Sequence, residues 1–240
     1  MNIFLFLKGL WIGSTMTIPG VSGGTMAIIT GIYEDLISSI NNIKKQPAKS
    51  LSFLLQVASG GLLGFISFAR IITFLLNSQT YGFIVRIIFA IIVICGIPVL
   101  VKKSGVKHLN LWDISGIFLG ISIVIILSLI PTGVISGEHG FTFIIMQLLC
   151  GFICAVALVL PGISVSHMLY ILGLYNFVFT NVYTFRWFVL IPLSAGVLSG
   201  IFITSKILEN LLNNHTRLTY MIIIGFVTGS IISLFQTNIS

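Results

Sequence analysis

Apolar runs occupy almost the whole chain. They cover residues 2–18, 24–40, 51–77, 82–101, 113–130, 142–160, 163–180, 186–206 and 217–237. A helical run of about 20 apolar residues matches the hydrocarbon thickness of a bilayer. The runs are continuous rather than alternating, which argues against a transmembrane β-barrel. Only 7% of the residues are charged, against about 25% in soluble domains, so a water-facing surface cannot be built. Disorder is excluded as well, because 57% of the residues are hydrophobic. The sequence therefore predicts an all-α, polytopic membrane protein.

Polar, partly charged breaks separate most of the runs, at 41–50, 77–82, 102–110, 131–140 and 209–217. Two further breaks lie inside long apolar stretches and carry no charge: Pro19-Gly20-Val21-Ser22-Gly23-Gly24 and Pro161-Gly162-Ile163-Ser164. Proline removes a helix donor, and glycine adopts backbone angles that other residues avoid. A helix must stop at both places, yet neither has the charges of a loop leaving into water. Each break is either the tip of a re-entrant helical hairpin or a tight turn between two spanning helices. Irregular backbone at membrane depth survives only where protein buries it or water reaches it, and the re-entrant arrangement suits the short run before Pro19.

The basic residues give an orientation. With the N-terminus cytoplasmic, Lys44, Lys45, Lys49, Lys102, Lys103, Lys107, Lys206 and Arg217 fall inside and Arg186 falls outside. The C-terminus is then external. The formal charge of +7 reads as cationic loops on an anionic leaflet, not as a nucleic-acid surface. Cys95, Cys150 and Cys154 lie in apolar runs and read as small buried residues. Lys8 interrupts the first run and no small-residue cleavage site follows it, so a retained first helix is expected.

The two breaks open a repeat. PGVSGGTMAIITGIY (19–33) aligns with PGISVSHMLYILGLY (161–175), and the matches include Pro, Gly, Ser, Met, Gly and Tyr, with Ile29 and Ile171 the one aliphatic pair. Gly60-x-x-x-Gly64 followed by Arg70 then parallels Gly196-x-x-x-Gly200 followed by Lys206. One extra run, 113–130, makes the crossings before the second copy odd, so the copies should be inverted across the membrane. The expected organisation is a first repeat at 1–110, a linking helix at 111–135 and an inverted second repeat at 136–240. Inverted repeats with interrupted helices are a signature of secondary transporters, with the binding site where the breaks meet.

A helix start offers unpaired N–H groups to an anion. The expected phosphate-binding set is Ser22, Gly23, Gly24, Thr25, Ser164, Ser166 and His167, with the intramembrane cations Arg70 and Arg86. The hairpin breaks themselves are Pro19, Gly20, Pro161 and Gly162. The bland readings are ordinary N-caps for the hydroxyls, a snorkelling Arg86 and a core hydrogen bond for His167. Glu34 and His167 are the groups available for coupling to H+ or Na+. Tyr33 and Tyr175 are expected in the interfacial belt. Ser164-x-Ser166-His167 faintly resembles an element of membrane lipid phosphatases, but no Arg-Pro occurs in the chain. The only aspartates are Asp35 and Asp113, too few for a metal-dependent phosphotransferase. No enzyme activity, metal or cofactor is therefore expected.

PGVSGGTMAIITGIYEDLI (19–37), with its echo at 161–175, resembles the family long known as domain of unknown function 368. Its members are PopT-like bacterial polyprenyl-phosphate transporters. The resemblance covers essentially the whole chain. It implies return of undecaprenyl phosphate from the outer to the inner leaflet of the bacterial cytoplasmic membrane, for envelope synthesis. The expected partners are that lipid and the bilayer; oligomeric state is open. Members often carry an acidic residue just before the first Pro-Gly, where this chain has Gly13-Ser14-Thr15-Met16-Thr17-Ile18. A transporter of a small soluble anion and a non-transporting scaffold of envelope synthesis remain the alternatives.

Overall fold

Every regular element is helical in the computed structural model, which describes residues 2–18, 20–76, 78–130, 141–184 and 186–236. The helices are α1 (Ile3–Thr15), α2 (Gly23–Ile29), α3 (Tyr33–Asn41), α4 (Pro47–Leu76), α5 (Gln79–Ser104), α6 (Leu111–Leu129), α7 (Phe141–Val159), α8 (Val165–Ile171), α9 (Tyr175–Tyr183), α10 (Ile191–Asn214) and α11 (Thr216–Gln236). A 3₁₀ turn at Trp187–Leu190 leads into α10. Among the described residues, five segments are long and apolar enough to cross a membrane: Pro47–Leu76, Thr80–Ser104, Leu111–Leu129, Thr142–Val159 and Phe188–Asn214. By contrast α1 has 13 residues, about 20 Å at 1.5 Å per residue, well short of a ~30 Å hydrocarbon core.

Local chemistry sets the ends. The Asn2 side chain accepts from the Phe4 N–H at 3.1 Å and starts α1. Gly105, at φ +68°, ends α5 after Lys102 and Lys103, where a left-handed residue and cations both suit a helix C-terminus. Asn110 and Asp113 form a capping box on α6.

Three expectations need correction. The apolar runs 24–40 and 163–180 are not single helices. Each breaks again at a glycine with positive φ, Gly31 at +74° and Gly173 at +72°, giving α2 with α3 and α8 with α9. The polar stretch 209–217 is not a loop, because α10 continues through it to Asn214. Its polar side chains reach water from a helix end, so polarity there did not require irregular backbone. Cys95 is exposed, although Cys150 and Cys154 are buried. Pro19 and the segment 131–140 lie outside the described residues.

Glycine sets the packing. A Cβ on Gly60 would lie 2.1 Å from the Phe6 carbonyl oxygen, and one on Gly64 would lie 2.1 Å from that of Leu10. The helices α1 and α4 therefore touch backbone to backbone and run in the same direction. The pair α7 and α10 repeats this: a Cβ on Gly196 would lie 2.1 Å from the Leu148 oxygen, and Gly200 faces Phe152. Side-by-side parallel packing has a topological consequence. Chain leaving the end of α1 must come back to the side where α1 began before α4 can start, and likewise between α7 and α10. Meanwhile α6 and α11 are also parallel, with Gly120 against Ile222 and Gly225 against Ile117. At their start Asp113 accepts from Arg217 Nε at 2.7 Å. Outward faces keep large apolar residues exposed, such as Leu62, Ile66 and Phe74 on α4, Phe118 on α6 and Leu198 on α10.

Candidate functional site

The two Pro-Gly breaks are in buried contact with each other. Gly162 donates its backbone N–H to Thr25 Oγ1 at 2.9 Å, a buried bond across 137 residues of sequence. A Cβ on Gly24 would stand 3.1 Å from Pro161 Cα, so glycine is what lets α2 lie against the second break. Gly20 and Gly162 have near-identical backbone twists, φ +87° and +83°. Both rest on α11, Gly20 against Leu234 and Gly162 against Phe226. Tyr33 Oη donates to the Val159 carbonyl at 2.7 Å and ties the start of α3 to the end of α7.

The local backbone repeats residue for residue. Ser22 and Ser164 occupy extended N-cap positions. The Met26 N–H donates to the Ser22 carbonyl at 3.2 Å, and the Met168 N–H to that of Ser164 at 3.1 Å. The Ile32 and Leu174 amides close the following turns at 2.9 Å each. Neither serine uses its side chain as a cap. Instead Ser22 Oγ is buried with no partner among the described residues, as is His167 Nε2. A buried hydroxyl or ring nitrogen without a partner carries a desolvation cost, which a bound anion or water would relieve. His167 shares the lining of a small cavity with Leu127.

Gly20, Gly162, Ser164, His167 and Ser128 line a small cavity of about 20 Å³, room for about one water. The breaks are thus closed on each other in this structure. Ser22, Gly24 and Thr25 are buried there, whereas Gly23, Ser164, Ser166 and His167 are half-buried. Gly23 faces the Met16 thioether.

The two arginines divide. Arg86 is half-buried on α5. Phe83, one turn earlier, packs on Phe235 of α11, next to the Leu234 that supports Gly20, so Arg86 lies at the height of the first break. Extending the α1–α4 register from Leu10 and Gly64 places Arg70 at the height of Met16, but its side chain is exposed. The structure does not bring Arg70 into the contact between the breaks. The new helices α2 and α8 have only seven residues each, so any attraction for an anion rests on free N–H groups and hydroxyls more than on a long macrodipole.

Several polar contacts were not foreseen from the sequence. Lys103 Nζ donates to Glu34 Oε1 at 2.8 Å, and the Tyr220 hydroxyl donates to the same oxygen. Burial alone would raise the Glu34 carboxyl, but the hydrogen bonds from Lys103 and Tyr220 and the Lys103 charge hold it below its ordinary value. Asn41 Nδ2 donates to the Ser205 carbonyl at 3.0 Å and to Glu209 Oε2 at 2.7 Å. Tyr33 does not join an interfacial belt: it is 3% exposed, because its hydroxyl is used inside. Tyr175, its counterpart, stacks on Tyr170 with ring centroids 3.9 Å apart.

These features define a class: a polytopic α-helical membrane protein built around two broken helices in contact. Comparison with known proteins narrows it. The VCA0040-like family, described as undecaprenyl phosphate translocase-like, matches residues 12–239, and the chain belongs to that family. A polyprenyl-phosphate transporter of Vibrio cholerae is 31% identical over 94% of this chain and 75% of its own length. One of Staphylococcus aureus is 32% identical over 97% of this chain and 87% of its own length. Family and relatives are named as transporters, not as enzymes. No solved structure matches the chain.

Proposed function

We propose that this protein moves a polyprenyl phosphate, undecaprenyl phosphate in particular, from the outer to the inner leaflet of the bacterial cytoplasmic membrane. The names of the family and of both relatives point to this substrate. The observation that carries the mechanism is the buried Thr25–Gly162 hydrogen bond between the two breaks. The N-terminus is cytoplasmic and the C-terminus external. Each break is the tip of a re-entrant hairpin, and the two repeats are inverted. The parallel α1–α4 and α7–α10 pairs support that topology, because both require a returning chain between them.

The substrate has one phosphate and a long apolar tail. Moving the headgroup alone along a polar path leaves the tail in lipid, as the exposed apolar faces allow. The headgroup separates the two breaks and takes up the Gly162 N–H, the Ser22, Ser164 and Ser166 hydroxyls and the amides near Gly23 and Gly24. His167 and Arg86 supply further donors, and Arg70 joins when the breaks part. The cavity of about 20 Å³ is then the closed interval between outward and inward exposure. Coupling to H+ or Na+ runs through Glu34 or His167. The test is reconstitution into vesicles with a labelled short-chain polyprenyl phosphate. Movement between leaflets above the rate of empty vesicles is expected, and equality with empty vesicles overturns the reading.

A further inference from the structure

A second cavity lies on the side of the breaks where α3 sits. It encloses about 490 Å³, and Glu34, Ser38, Lys103, Asn213, Thr216 and Tyr220 are among the residues that line it. Helix α3 forms one wall and is fastened at both ends. Glu34 holds Lys103 of α5 and Tyr220 of α11, and Asn41 holds Ser205 and Glu209 of α10. The cavity is close to the breaks. Tyr33, the residue before Glu34, bonds Val159, two residues before Pro161. Tyr220 is six residues before Phe226, which supports Gly162, about 9 Å along a helix.

From this we infer that the cavity is the vestibule through which the phosphate headgroup leaves toward the cytoplasm, that α3 is its gate, and that Lys103 passes from Glu34 to the phosphate as the gate opens. The inference rests on the transport reading above. Its chemistry is that of an anion path. The Lys103 ammonium, the Ser38, Thr216 and Tyr220 hydroxyls and the Asn213 amide are all donors. The pocket also holds two carboxylates, Glu34 and Glu209, so one ammonium leaves it formally negative. A phosphate therefore passes through and does not lodge, which suits a release side. The second repeat carries Asn176 where the first has Glu34, so this carboxylate latch belongs to one side of the membrane only.

The experiment uses the full chain with Cys95, Cys150 and Cys154 replaced by Ala and with Ser38→Cys and Asn213→Cys added, one on α3 and one on α10. A reducible bifunctional thiol reagent then bridges the cavity. In vesicles carrying labelled short-chain polyprenyl phosphate, the bridge is expected to slow movement about ten-fold or more, with recovery after reduction. Movement at the unbridged rate with the bridge in place overturns the gate. Separately, Lys103→Gln is expected to slow movement about ten-fold while Lys103→Arg stays near wild type. An unslowed Lys103→Gln overturns the transfer of Lys103 to the phosphate. If the unmodified wild type does not move the lipid, the transport reading itself falls, a result distinct from the other two.

Discussion

At the scale of single residues, the break is held by groups with no slack. Gly162 combines φ +83° with a virtual Cβ 2.4 Å from the Phe226 carbonyl oxygen. Gly20 has the same twist, but its nearest neighbours lie at 3.1 Å. Gly105 has φ +68° and open space around it. A left-handed alanine costs about 1–2 kcal/mol without any clash. Gly105→Ala should thus lower thermal stability in detergent only by that amount, Gly20→Ala by more, and Gly162→Ala should abolish the folded form. Equal melting shifts for the three would show that Phe226 moves aside freely. Thr25 gives a second test. Thr25→Val strands the buried Gly162 N–H and should destabilise by about 1–3 kcal/mol, while Thr25→Ser should keep most of the bond. Both residues could be picked from the sequence as part of a break. That Thr25 accepts from the other repeat could not, since nothing in local sequence reports a partner 137 residues away.

The helices themselves were largely legible, because lipid demands long apolar runs and water demands polar connections. Two failures share one cause. Runs 24–40 and 163–180 remain apolar through Gly31 and Gly173, so hydropathy gave no sign of a turn; only the backbone freedom of glycine did. Here packing makes a sharper forecast than pattern. The Gly60 and Gly196 positions each face a carbonyl oxygen at 2.1 Å from a virtual Cβ. Gly60→Ala and Gly196→Ala should therefore push α1 from α4 and α7 from α10 to similar extents, with similar losses of melting temperature. A large effect of one and none of the other would break the equivalence of the two pairs. Helix α3 adds a pH dependence. Glu34 has its carboxyl below the ordinary value of 4.5, so its contribution to holding α3 is complete above that pH and fades below it as Glu34 protonates. The protection factors of α3 amides, that is, exchange relative to the intrinsic rate at each pH, should fall on acidification in wild type and stay constant over that range in Glu34→Gln.

For the whole molecule, the question is how deep the breaks sit. Counting crossings does not answer it, because spanning and re-entrant hairpins both put the termini on opposite sides. Depth does. If α1 and the α2–α3 segment each crossed the bilayer, and α7 and the α8–α9 segment likewise, Ser22 would lie at the external surface and Ser164 at the cytoplasmic one. If both hairpins return, the two serines lie together inside, as the Thr25–Gly162 bond and the 13-residue length of α1 favour. Single cysteines separate the cases. In a background without Cys95, Cys150 and Cys154, Lys107→Cys should react with a membrane-impermeant thiol reagent only from inside and Arg186→Cys only from outside, since both positions are exposed. Ser22→Cys and Ser164→Cys should react about ten-fold more slowly than either control, limited by opening of the site. Reaction of Ser22→Cys from outside as fast as Arg186→Cys would mean that the first break is an ordinary external turn. The headgroup site between the breaks would then have no place in the membrane.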